Sequence, residues 1–280
     1  MHDIKIGKLQ RQLPGKWNEL TGKQLLGIIA VSTRIPSIPG LKPHQIQELL
    51  RLETLFILLN VPRALLMLFT PLQLLQFYWL MPFLEKGGFS GLTAQLFPKL
   101  RVPGFLGWFR PRLFGPRERI RNMSFLEFIY ADTFFTAYTQ KQNPAMLDKL
   151  VSCLYRKKRW FHFLLKRLAS YGGDCRQEFN PYFVDGRARL VARFSLEQKL
   201  AILCWYRDCR EELEREFPLV FSGSNQKTAG RKGWDGVLLG MSGHVMNIES
   251  TGKANIRSIL GMMQQRFEEV EEAKKQRDEN

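Results

Sequence analysis

The chain has 280 residues, 45% of them hydrophobic, and a formal net charge of +16 from 42 Lys and Arg against 26 Asp and Glu. The apolar fraction excludes a chain disordered throughout and suffices for one large core or two ordinary ones. Residues 1–199 carry 30 basic and 13 acidic side chains and residues 200–280 carry 12 and 13, so the basic field belongs to the first two thirds and favours an anionic partner.

Residues 1–13 alternate polar and apolar side chains and lack the apolar run of a secretory signal, so a reducing, cytoplasmic location is expected. Thr21-Gly22-Lys23-Gln24 fits a capping box ahead of Leu25, Leu26, Ile28 and Ile29. Pro43 suits the first position of a helix carrying Ile46, Leu49, Leu50 and Leu52. Residues 55–84 are the most apolar stretch, but Asn60, Pro62, Arg63, Pro71, Gln73, Gln76 and Pro82 interrupt it. A membrane span needs about 20 consecutive apolar residues. The stretch reads as two or three short buried helices, one opened by Thr70-Pro71-Leu72-Gln73, and a membrane partner is not expected.

Residues 99–121 combine Pro and Gly with six Arg and with Phe105, Trp108, Phe109 and Phe114, which marks a connector. Ser124-Phe125-Leu126-Glu127 opens a helix with Phe125, Phe128, Ile129 and Phe135 near one face. Asn143-Pro144 opens the next, with Leu147, Leu150, Val151 and Leu154 in helical spacing. The short turn at Lys141, Gln142 and Asn143 makes the two an αα-hairpin. Tyr182 to Arg187 contains Asp185-Gly186 and reads as a loop or, at most, one short β-hairpin. Ser195-Leu196-Glu197-Gln198 opens a long helix that ends before Pro218. A polar, glycine-rich linker follows, then Trp234 to about Glu249. In the last helix Ile256, Ile259, Leu260, Met263, Phe267 and Val270 form the cleanest amphipathic stripe of the chain.

The expected fold is mainly α, a multi-helix, bundle-like globular protein. Its expected parts are an N-terminal helical unit (1–100), the Arg/aromatic connector (101–121), a central helical domain (122–221), a linker (222–233) and a C-terminal helical hairpin (234–280).

Catalytic patterns are missing. Cys153, Cys175, Cys204 and Cys209 have no CxxC spacing, and His2, His44, His162 and His244 are scattered singly, so no metal site is assigned. Gly223 to Thr228 resembles a phosphate loop in composition only. Gly240-Met241-Ser242-Gly243-His244 fails the nucleophile-elbow spacing, and its small residues read as a helix–helix approach. Asp132 lies among Phe128, Tyr130, Phe134 and Phe135, where a carboxylate could serve as acid or base; pairing with an Arg is the better reading. No catalytic residue, cofactor or metal is assigned, and the chain is read as a non-enzyme.

Two basic stretches interleave with aromatic residues. They nominate Arg110, Arg112, Arg117, Arg156, Lys157, Lys158 and Arg159 as anion- or nucleic-acid-binding residues, since Lys and Arg neutralise phosphates and aromatic rings stack on bases. The alternative is that Arg stems simply cover the rings.

Ser124-Phe125-Leu126-Glu127-Phe128 with Asp132, then Leu147-Asp148-Lys149-Leu150 and Leu154-Tyr155-Arg156, resembles structural-region proteins of phages and prophages. Trp234-Asp235-Gly236-Val237-Leu238 and the striped helix ending in Glu268-Glu269 are similar to helical modules of tail assembly chaperones of tailed phages. The resemblance covers about residues 120–275. It implies a non-enzymatic assembly factor, in the host cytoplasm, that binds virion proteins such as the tape measure protein. Ile256, Ile259, Leu260, Met263 and Phe267 are the partner-binding or self-association candidates; the alternative is that this stripe simply closes the protein's own core. The alternative function is a basic nucleic-acid-binding accessory protein.

Overall fold

Local helix-start chemistry sets the frame of a mainly α protein. The computed structural model describes residues 1–84, 89–104, 111–165, 167, 173–222 and 233–278. The chain forms two units: Met1–Leu96 with Ser195–Asp208, and Phe97–Phe194 with Cys209–Asn280.

The first unit begins with an antiparallel hairpin, β1 (His2–Ile6) and β2 (Leu9–Leu13), with His2 opposite Leu13 and Ile6 opposite Leu9. Gly7 makes the turn at φ +59°, where a side chain would be strained. Four helices follow: α1 (Gly22–Arg34), α2 (Pro43–Leu59), α3 (Arg63–Leu66) and α4 (Pro71–Trp79). The Thr21 hydroxyl accepts from the Gln24 N–H, and the Gln24 side chain accepts from the Thr21 N–H at 2.9 Å. Thr70 and Gln73 repeat this box at α4. α1 lies close on α2: a Cβ at Gly27 would stand 3.2 Å from the Ile57 side chain. Leu13, Leu25, Ile28, Leu55, Leu58 and Leu59 fill this core with Ala201, Ile202 and Trp205.

The second unit opens with β3 (Lys99–Arg101) and β4 (Arg112–Phe114), an antiparallel pair. α5 (Phe125–Lys141) and α6 (Pro144–Leu154) form the expected αα-hairpin, closed by Gln142 in the left-handed region. Then come α7 (His162–Leu165), α8 (Val184–Val191), α9 (Leu196–Glu216), α10 (Pro218–Ser222), α11 (Gly233–Ser242), α12 (Ile248–Lys253) and α13 (Ile256–Asp278). The first part of α9, through Asp208, belongs to the first unit. α6 packs on α5 and α8, while α12 packs on α5 and α10 on α13. Phe125, Phe128, Leu150, Val151, Leu154 and Leu260 are fully buried. Trp234 packs edge-on against Phe125, Phe128 and Phe221.

Several expectations change. The residues expected as a loop or hairpin at Tyr182 to Arg187 are helical: a 3-10 turn at Pro181–Phe183 leads into α8. Asn180 caps that turn by accepting from the Tyr182 N–H at 2.9 Å, which places Asp185-Gly186 inside a helix. The described strands lie instead at the N-terminus and in the connector. The helices of residues 55–84 are not all buried. Met67 and Leu68, between α3 and α4, stand in solvent, and so do Leu72, Leu75 and Trp79, because α4 is apolar nearly all round and only one face can pack. Gly240 mediates no close approach, since a Cβ there would meet nothing within 4 Å. That role falls to Gly252, whose Cβ would stand 3.2 Å from Leu126. No described helix is long and apolar enough to cross a membrane.

Candidate functional site

Four charged side chains of the second unit meet in its interior. Ser124 caps α5 by accepting from the Glu127 N–H at 3.3 Å. The Glu127 carboxylate does not complete the capping box, because two arginines hold it. Arg156 Nη1 lies 3.0 Å from one oxygen and Arg176 Nη1 2.7 Å from the other. Asp174 closes the set, accepting from Arg176 Nε at 3.0 Å and from Arg176 Nη2 at 2.9 Å. Arg176 also donates to the Leu154 carbonyl at 2.8 Å. Arg156, Arg176 and Glu127 are 2%, 0% and 1% exposed, a degree of burial that charges tolerate only when paired. Burial opposes the charge on both arginines. It draws the Arg156 pKa down, while Glu127 and Asp174 outweigh it at Arg176 and hold that guanidinium above its ordinary range. The set is neutral, two cations against two anions, and acts as a structural clamp.

The clamp fixes a strand-like segment beside β4. Phe114 and Arg156 exchange both backbone hydrogen bonds, at 2.7 and 3.0 Å. Lys158 bridges to Arg176 in turn. This pairing joins described parts of two stretches, residues 97–117 and 156–173, whose sequences contain 5 and 6 Lys or Arg and no Asp or Glu. Arg101 and Arg112 stand directly opposite each other in the β3–β4 ladder, both exposed. Lys157, Lys158 and Arg167 are exposed as well. Beside them Trp160, Phe161, Phe163 and Leu164 are 79%, 62%, 67% and 50% exposed.

Of the anion-binding candidates, Arg112, Lys157 and Lys158 are exposed on these paired segments, Lys157 and Lys158 on opposite faces of theirs. Arg117 is exposed with its guanidinium against Gly173. Arg159 is half-buried and donates to the Arg176 carbonyl at 2.8 Å. Arg156 leaves the set, because its charge is committed inside the clamp. Arg110 lies outside the described residues, as do Phe105, Trp108 and Phe109 of the connector and the Gly223 to Thr228 stretch.

The partner-binding candidates divide along α13. Ile256, Ile259, Leu260 and Met263 are buried in the unit's own core. Phe267 is 40% exposed and Val270 51% exposed, and residues 265–277 all lie in solvent. Ile256, Leu260, Met263, Phe267 and Val270 follow the alternating four-and-three spacing of a heptad seam, and only its first half is covered.

Asp132 is paired. It accepts from Arg210 and, at 2.8 Å, from the Trp234 indole N–H. The Ser242 hydroxyl donates to the Leu238 carbonyl at 2.6 Å, inside its own helix. None of the four cysteines forms a disulfide. Among the described residues no group of three or more His, Cys, Asp or Glu could hold a metal. A cavity of about 600 Å³ opens beside the clamp, lined by Ser124, Arg159, Glu178, Phe179, Tyr182 and Lys253 among others. Its rim charges pair with one another: Lys253 lies 3.2 Å from Glu178 and 2.6 Å from Glu249. Sequence reasoning missed Asp174 and Arg176 as clamp members. The only signal was the acid-free run ending at Asp174.

No family model, curated protein or solved structure matches the chain.

Proposed function

We propose that this chain is a non-enzymatic assembly factor of a phage or prophage that binds another virion protein, with the tape measure protein of a tail as its client. The observation that carries the reading is the half-covered seam of α13. Its first turns are locked in the core, and its last 14 or so residues extend about 20 Å beyond them, with Phe267 and Val270 partly exposed. An exposed apolar stripe on a rigidly anchored helix is suited to receive the apolar stripe of a partner helix. Glu268, Glu269, Glu271 and Glu272 flank it and favour a client helix with Lys or Arg beside its stripe. The phage setting rests on the resemblance of residues 120–275.

The test is affinity capture of the tagged chain from its native cells, with and without nuclease, beside a Phe267→Glu/Val270→Glu variant. A virion protein retained after nuclease and lost in the variant supports the reading. Partners that vanish with nuclease would replace it with the nucleic-acid-binding reading.

A further inference from the structure

The exposed surface around residues 157–167 is a different feature from the α13 seam, and it combines two properties that seldom coincide. Four large apolar side chains, Trp160, Phe161, Phe163 and Leu164, face solvent within five residues. The cations around them are Lys157, Lys158 and Arg167 on the same segment, with Lys99, Arg101 and Arg112 on the β3–β4 ladder alongside. Neither contributing stretch contains an acidic residue. Arg101 directly opposite Arg112 is a like-charge pair that an isolated hairpin disfavours and that an external anion relieves.

We propose that this surface docks the chain onto an anionic phospholipid bilayer. Trp, Phe and Leu enter the interface between headgroup and acyl chain, while Lys and Arg meet the headgroup phosphates. The chain lies on the bilayer and does not cross it, in keeping with the absence of a span-length apolar helix among the described residues. A nucleic acid strand would use the same cations and stack on one or two rings, leaving Phe163 or Leu164 in water. A bilayer covers all four. The exposed apolar side chains of α4 and of the turn before it in the first unit lie in a stretch, residues 64–84, without Lys or Arg, so charge selects no occupant for them.

The test is flotation of the full-length protein with two kinds of vesicle: phosphatidylcholine alone, and phosphatidylcholine mixed with phosphatidylglycerol. The expected result is binding to the mixed vesicles only, weakened by salt. Arg112→Gln/Lys157→Gln/Lys158→Gln should weaken that binding by about a hundredfold, roughly fivefold per cation. Trp160→Ser/Phe161→Ser should weaken it at least tenfold, and both variants should keep the parent's circular dichroism because all five side chains are exposed. Equal binding by the parent and the serine variant overturns the proposal, and so does failure of the parent to float with either vesicle. Salt-sensitive capture of a single-stranded oligonucleotide by protein that leaves the vesicles unbound overturns it in favour of nucleic acid. None of these outcomes depends on Phe267 or Val270, so the proposal and the assembly reading stand or fall separately.

Discussion

Arg156 and Arg176 share one carboxylate. Each places a guanidinium nitrogen within 3.0 Å of a different oxygen of Glu127, and all three side chains are almost fully buried. Removing the shared anion leaves two buried cations with only Asp174 between them. Glu127→Ala should therefore cost about 3–5 kcal/mol of stability, read by urea denaturation. A loss below about 1 kcal/mol would mean that the clamp does not hold the unit together.

α13 should respond in two ways along its length. Leu260→Ala opens a cavity in the core and should cost about 2–5 kcal/mol. Phe267→Glu should cost far less, about 0.5 kcal/mol, because that side chain is already 40% exposed. Similar losses at both positions would show that the seam is closed from end to end.

Asp132→Ala should loosen packing around Trp234. It leaves the Trp234 N–H without its acceptor and takes one anion from Arg210, although Glu214 still pairs with that arginine. The expected loss is about 1–3 kcal/mol, accompanied by a change in tryptophan fluorescence.

The thiols should report burial. Desolvation raises the Cys153 pKa far above its ordinary value and pushes that of Cys204 up to about 11. Both should resist iodoacetamide in the folded chain near neutral pH and react after denaturation. The sign of the linked stability follows from proton counts. Above pH 9 an unfolded Cys204 loses its proton while the folded one keeps it. Stability should fall as pH rises from about 9 to 11, by roughly 1–3 kcal/mol from this group.

Arg112→Glu would face Arg101 with an opposite charge across the ladder. It should raise stability by about 0.2–1 kcal/mol while weakening any anion binding by this surface. Thermal melts at low salt would show it, and a lower melting temperature would rule out the like-charge strain.

The parts legible in the sequence were those whose causes are local. Thr21, Thr70, Asn143 and Ser195 each begin a helix within a residue or two of the expected start, because a cap hydrogen bond spans only two or three residues. The β1–β2 hairpin had a local signal as well. The alternation of residues 1–13 that excludes a signal run is also a strand period, and Gly7-Lys8 supplies its turn. The clamp had none. Arg176 reaches Glu127 across 49 positions, and no periodicity announces which of 42 cations will be buried. For the same reason Arg156, adjacent in sequence to Lys157 and Lys158, looked like part of their surface.

The Phe114–Arg156 backbone pairing carries a thermodynamic consequence. The two acid-free stretches are neighbours only once that pairing has formed, so the full density of positive charge is a property of the native state alone. Any polyanion that engages both stretches at once then binds the folded chain more tightly than the unfolded one. By mass action it must raise the midpoint of thermal unfolding as its concentration rises. A short peptide copied from either stretch would compete for that polyanion only weakly.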